Sequence, residues 1–309
     1  MIMSANQRVA DAATSVGREF LFQQVPLIVT VLMAGFLCSL VQRGDVSAGP
    51  SFIRLVWLGV WTGYALGLVG QAAGLFALPY STGVMGFNSI AVSPTIQLMT
   101  LVNPLGALLA QRSSSEWNLG NSRWICFGAC VGGAAGPFLR ARAFQDQAMF
   151  DLLLGVCLVG IGCQLLREGM RGPRAIADPN DAGRVPPATT MFVLGAAVGT
   201  LSVALGVGGA FLLVPLLCLY FRLPLRLVST ITIPYTIVLS AVGLVGYLAL
   251  LPIAGLPSVH PDWAWGFYAG AGGIFGSWCA VKTQHLYPER LLRFGLGATL
   301  TLIGLERAF

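Results

Sequence analysis

The sequence predicts an all-α polytopic membrane protein of about nine transmembrane helices: an extra N-terminal helix followed by two repeated four-helix units, each opening on a broken helix. Three observations carry this. The 309 residues are 56% hydrophobic and only 10% charged, with a mean hydropathy of +0.77, whereas soluble domains carry about 25% charged residues. No charge occurs between Arg54 and Arg112 or from Val185 to Phe221, and each of these runs exceeds the about 20 residues of a single crossing. Glycine and proline also recur in the same order in the two halves.

The elements follow from charge gaps and turn residues. Phe20 to Val41 is apolar and longer than a signal-peptide core of about 7–15 residues, so it is read as an uncleaved helix within an N-terminal extension, 1–50. The first four-helix repeat spans 51–170, with a long segment at 55–84 and helices near 91–111, 124–140 and 148–166. A polar stretch rich in Arg, Asp, Gly and Pro marks a linker at 171–188. The second repeat, 189–309, holds a long segment at 189–221 and helices near 227–251, 264–281 and 290–306. A segment of about 30 residues would span about 45 Å as one helix, against a hydrocarbon core of about 30 Å. Each long segment is therefore a tilted, broken helix or a re-entrant pair, and the broken helix is the preferred reading.

Direct comparison of the halves supports duplication. At an offset of 136, Gly59, Gly63, Gly70, Pro79 and Ser93 match Gly195, Gly199, Gly206, Pro215 and Ser229. At an offset of 140, Gly132, Gly133, Gly136 and Gly155 match Gly272, Gly273, Gly276 and Gly295. Ungapped spacing of this kind is an internal-repeat signature. An arrangement with the N-terminus inside places nine cations on each side, so the positive-inside rule ties. Arg140 and Arg142 flank one short loop and Lys282 and Arg290 its equivalent, while 252–263 has no cation; this tips the reading to N-terminus in and C-terminus out.

Composition also excludes. No Lys/Arg cluster with interleaved aromatics is present, so nucleic acid is not a partner; the lipid bilayer is. All seven cysteines fall in apolar stretches and read as packing residues rather than disulfides. Cys126 and Cys130 share a helix face without a neighbouring His or carboxylate, so no metal site is expected. His260 and His285 lie in loops, and no HExxH, Gly-x-Ser-x-Gly or Walker pattern occurs, so neither an enzyme nor a cofactor is expected.

The candidate site starts at Leu205-Gly-Val-Gly-Gly-Ala-Phe-Leu-Leu-Val-Pro215. Gly206, Gly208 and Gly209 destabilise a helix, and Pro215 cannot donate a backbone bond. In lipid such a break persists only where protein or a polar cavity repairs it. Opened backbone N–H groups, with a half-helix starting near Ala210, would bind an anion without a buried Arg or Lys; the bland alternative is a packing kink. Val69–Pro79 is a weaker echo, with Gln71 a further donor. Ser93 and Thr95, with Gln97 one turn on, follow the first segment, and Ser229 and Thr230 follow the second. These hydroxyls cap helix ends or line a shared cavity, and both readings stay open. Most other transmembrane glycines, such as Gly132/Gly136, have small-xxx-small spacing that lets helices approach closely. No Asp or Glu falls deep in a crossing, which weakens ion-coupled uptake.

At these residues the chain resembles the sulfite exporter TauE/SafE family, also called the toluene-sulfonate uptake permease family. The carrying residues are Gly199-x6-Gly206-Val-Gly-Gly-Ala-x4-Pro215 followed by Ser229-Thr230, and Gly63-x6-Gly70-x8-Pro79 followed by Ser93-Pro94-Thr95. The resemblance covers about 55–306 and implies a duplicated four-helix unit that transports sulfur anions such as sulfite or organosulfonates across the cell inner membrane. Two departures stand out. The glycine triplet reads Gly208-Gly209-Ala210, and Gln71-Ala72-Ala73 replaces glycines in the first unit. The expectation is an exporter of a small sulfur anion, with proton- or sodium-coupled uptake and a non-transporting accessory subunit as alternatives. Direction, substrate and assembly stay open, a homodimer among the assemblies.

Overall fold

The computed structural model describes residues 52–70, 73–87, 89–111, 122–143, 147–171, 185–221, 223, 225–284 and eight positions within 294–305. These belong to one unit, Ala48–Phe309. The helix expected at 20–41, most of the polar linker and Gln71 lie outside the described residues.

Helix α1 covers Phe52–Val69 and α2 Ala73–Pro79, followed by a π-helical turn at Tyr80–Val84. Helices α3 (Val92–Val102) and α4 (Pro104–Gln111) fill the predicted 91–111 span, which is divided at Asn103, ahead of Pro104. Proline removes a donor from the ladder, and the Ser277 hydroxyl enters the gap. It donates to Asn103 O at 2.8 Å and accepts from Ala107 N at 3.1 Å. Then come α5 (Arg123–Ala143), α6 (Gln147–Arg171), α7 (Ala188–Ala204), α8 (Leu213–Leu219), α9 (Leu225–Val245) with a π-helical turn at Gly246–Leu250, and α10 (Trp263–Thr283).

Three spans among the described residues are long and apolar enough to cross a membrane: Val92–Gln111, Arg123–Arg142 and Leu227–Ile253. Large apolar side chains face outward along them and along α10, including Trp124, Phe127 and Val131 on α5 and Phe267, Phe275 and Trp278 on α10. Exposed apolar surface of that extent fits lipid rather than water.

Both predicted long segments are interrupted where glycine was expected to interrupt them. Gly70 adopts φ 75°, and its N–H bonds Leu66 O at 2.7 Å, the single-bond left-handed cap of a helix end. Gly206 adopts φ 65°. Its N–H bonds Val203 O at 3.0 Å and Val207 N–H bonds Ser202 O at 3.1 Å, which together form a Schellman cap on α7.

Packing is dominated by two lengthwise contacts, α1 on α10 and α7 on α5. Both rest on glycine. A Cβ on Gly63 would stand 2.6 Å from Gly273 Cα, one on Gly276 2.9 Å from Tyr64 N, and one on Gly132 2.8 Å from Thr200 N. None of these positions admits a side chain, so backbones meet directly, as the small-xxx-small spacing predicts.

Candidate anion site at the second helix break

The break at Leu205–Leu212 is buried almost throughout. Its wrapping comes from helices distant in sequence. A Cβ on Gly206 would run into Ser93 Oγ on α3; one on Gly208 would meet Thr100, 3.1 Å from its Cγ2; one on Gly209 would stand 3.1 Å from Thr236 Cγ2 on α9. Val207 O presses on Gly74 of α2. Gly208 and Gly209 adopt φ 63° and 79°, so three left-handed residues turn the chain sharply here. Ser93, Gln97 and Thr100 are spaced to share one face of α3, and all three are buried.

Two neighbours of this break were not singled out from the sequence. Tyr247, fully enclosed, donates from its hydroxyl to Val203 O at 2.9 Å and has Ser93 and Arg140 beside it. Arg140 is only 3% exposed. This overturns the expectation of a site without a buried cation. The physical reason is helix register. Gly128 meets Phe192–Ala196, Gly132 meets Ala196–Thr200, and Gly136 meets Thr200–Val203. One further turn of α5 carries Arg140 level with the break, and the contact of Pro137 on Gly246 holds that turn against Tyr247.

The freed backbone donors are fewer than expected. The N–H groups of Gly206 and Val207 close the α7 cap, and Gly208 N–H points to Ser202 O at 3.4 Å. Helix α8 starts at Leu213, not near Ala210, and has only seven residues, so its dipole is a weak attractor. Polarity at this break comes instead from side chains. Ser93 Oγ, both polar atoms of Gln97, Ser202 Oγ and Thr236 Oγ1 are buried without a hydrogen bond among the described residues. Buried polar groups are almost always paired, so such a cluster calls for a partner.

The first break is sealed differently. Thr232 Oγ1 donates to Gly70 O at 3.0 Å and Gln284 Nε2 to Leu68 O at 2.9 Å, which caps the carbonyl end of α1. A Cβ on Gly70 would stand 2.9 Å from Ser229 Cα, and Gln111 Nε2 donates to Ser229 Oγ at 3.3 Å. Gly206 and Ser93 are thus brought together, as are Gly70 and Ser229. Ala210 lies buried in the second break. Thr95 is elsewhere: it donates to Ala91 O at 2.7 Å and accepts from Asp262 N at 2.8 Å, which ties α3 to the loop before α10. Thr230 bonds back to Leu227 O at 2.8 Å. Gln111 and Tyr247 stand 136 positions apart, the offset that pairs the glycines and serines, but as unlike residues they give no match in that comparison.

Among the described residues no group of His, Cys, Asp and Glu could hold a metal ion. No curated protein and no solved structure matches the chain. Residues 55–307 match the family described as "Sulfite exporter TauE/SafE", a span that takes in both breaks and all but the first three residues of the helices described above, and the chain belongs to that family of membrane transporters.

Proposed function

We propose that the protein exports a small sulfur-containing anion across the cell inner membrane and binds it at the second break, between two duplicated halves. The single observation that carries this reading is the exchange of contacts between them. Gly206 of the second half lies on Ser93 of the first, and Gly70 of the first lies on Ser229 of the second. The residues beside those serines, Tyr247 and Gln111, also come from the opposite half. Such reciprocity supports a pseudo-twofold with both breaks at its centre, where repeat-built carriers hold their substrates.

The halves are unequal in a useful way. At the first break Gln284, Thr232 and Gln111 make the hydrogen bonds given above. At the second break Ser93, Gln97, Ser202 and Thr236 keep hydrogen-bonding capacity for an oxyanion, and Arg140 supplies a positive charge. Gly206, Gly208, Gly209 and Ala210 shape the backbone around it. A buried charge is expensive in a membrane and marks function more often than packing. Outward movement of an anion needs no coupling ion, because an inside-negative potential contributes about 2.3 kcal/mol per charge per 100 mV.

The test is uptake of labelled sulfite by everted vesicles or proteoliposomes holding the purified protein. Saturable, voltage-responsive flux is expected. Absence of protein-dependent flux of any sulfur anion overturns the proposal.

A further inference from the structure

Gln97 is fully buried, and among the described residues neither Nε2 nor Oε1 makes a hydrogen bond. It sits between Ser93, which lies on Gly206, and Thr100, which lies on Gly208. Its amide carbon comes within 3.5 Å of a Cβ built on Gly243, and Val203 of the α7 cap lies 3.1 Å from the same point. The amide is therefore held at the break, among Ser93, Val203 and the α9 face, with a donor and an acceptor both unused. A buried amide left so is poorly placed unless a ligand offers it the complementary pair.

We propose that Gln97 is a specificity-determining residue of this site and that it selects an oxyanion carrying one proton, such as hydrogen sulfite, over a sulfonate or a fully deprotonated dianion. The inference rests on the transport reading above. Its chemistry follows from the amide. Nε2 donates to an anion oxygen, whereas Oε1 can only accept and so needs an O–H from the ligand. Sulfonates and sulfate offer acceptors alone, which would set their lone pairs against Oε1. The hydroxyls of Ser93 and Thr236 rotate to donate to the remaining oxygens. Thr100 is already engaged, with Ser240 at 2.9 Å and Ile96 O at 2.8 Å. Arg140, buried beside Tyr247, places a cation near this face.

Hydrogen sulfite loses its proton near neutrality, so flux at fixed total sulfite should follow the protonated fraction. The titratable and charged groups around this face are Tyr235 and Tyr247 from α9 and its π turn, Arg140 from α5, and Asp262 ahead of α10. Tyrosine and arginine keep their protons between about pH 6 and pH 8. Asp262 accepts from Trp265 N at 2.9 Å and its own N–H meets Thr95, which is spaced to the face of α3 opposite Gln97; an Asp262→Asn control removes it.

The experiment is counterflow of labelled sulfite in liposomes holding the full-length protein, with protein-free leak subtracted, between about pH 6 and pH 8. The expected rate follows hydrogen sulfite, methanesulfonate and sulfate compete poorly, and Asp262→Asn keeps the profile. Gln97→Met should lower the rate at least about tenfold, because a site built to bond a ligand hydroxyl discriminates strongly. It should also admit methanesulfonate as a competitor and leave the ligand-free melting temperature unchanged or raised. A wild-type rate that follows total sulfite at every pH, equal competition by methanesulfonate, or a profile that moves with Asp262→Asn overturns the selection while leaving transport standing. Gln97→Met with wild-type rate and competition also overturns it. No protein-dependent flux at all overturns both readings.

Discussion

Gly206 lies against Ser93 so closely that a Cβ on the glycine would run into the serine Oγ and stand 2.9 Å from its Cβ. Two constraints meet there: a left-handed backbone at φ 65° and a helix packed against it. Gly206→Ala should therefore lower stability by about 2 kcal/mol or more. Ser93→Gly in the same chain should recover part of that loss, because residues in contact do not add independently. Melting temperatures of the four proteins in detergent check the coupling.

Tyr247 closes the same region. Its hydroxyl bonds Val203 O of the α7 cap at 2.9 Å. Tyr247→Phe should destabilise by about 1 kcal/mol, leaving Val203 O with the Gly206 N–H of the α7 cap. The change should be visible as a lower melting temperature with folding retained.

Arg140 tests the electrostatic part of the account. Arg140→Gln should weaken sulfite-induced thermal stabilisation and reduce flux at least about tenfold, since charge-assisted bonds are about twice as strong as neutral ones. Arg140→Lys should retain more of both. If sulfite stabilises the Gln variant as well as it stabilises the wild type, the arginine is only a structural tie.

Glycine crossings can be separated from glycine breaks. Gly132→Leu and Gly276→Leu force side chains into the opposing backbone and should cost more than about 3 kcal/mol, seen as loss of folded protein. Among the described residues, nothing lies within 4 Å of where a Cβ on Gly160 would stand. Gly160→Ala should be neutral or stabilise by up to about 1 kcal/mol.

How much of this was legible depended on whether the signal was local. Gly70 and Gly206 interrupt the two long segments because the left-handed conformation at a helix end is a property of the residue itself, and it reads directly from the chain. The consumption of the Gly206 and Val207 N–H groups by a cap was hidden, since it depends on where within one turn α7 stops. Arg140 looked like a loop cation because only the register of α5 on α7 reveals its depth. Thr95 looked like a substrate donor because its partner, Asp262, lies 167 positions away. Gln97 was visible as a neighbour of Ser93 on one helix face, but its unmet bonding capacity exists only in the packed molecule.

The central claim is that the polar side chains at the second break bind the anion, and Ser93 tests it most directly. Its hydroxyl neighbour is that of Tyr247, which already donates to Val203 O, and Ser93 Oγ has no well-formed hydrogen bond among the described residues, so Ser93→Ala should change the ligand-free melting temperature little. Sulfite affinity, read from thermal stabilisation across a concentration series, should fall about fivefold or more, as expected for one lost hydrogen bond to a charged ligand. Unchanged affinity in a folded Ser93→Ala protein would contradict the account.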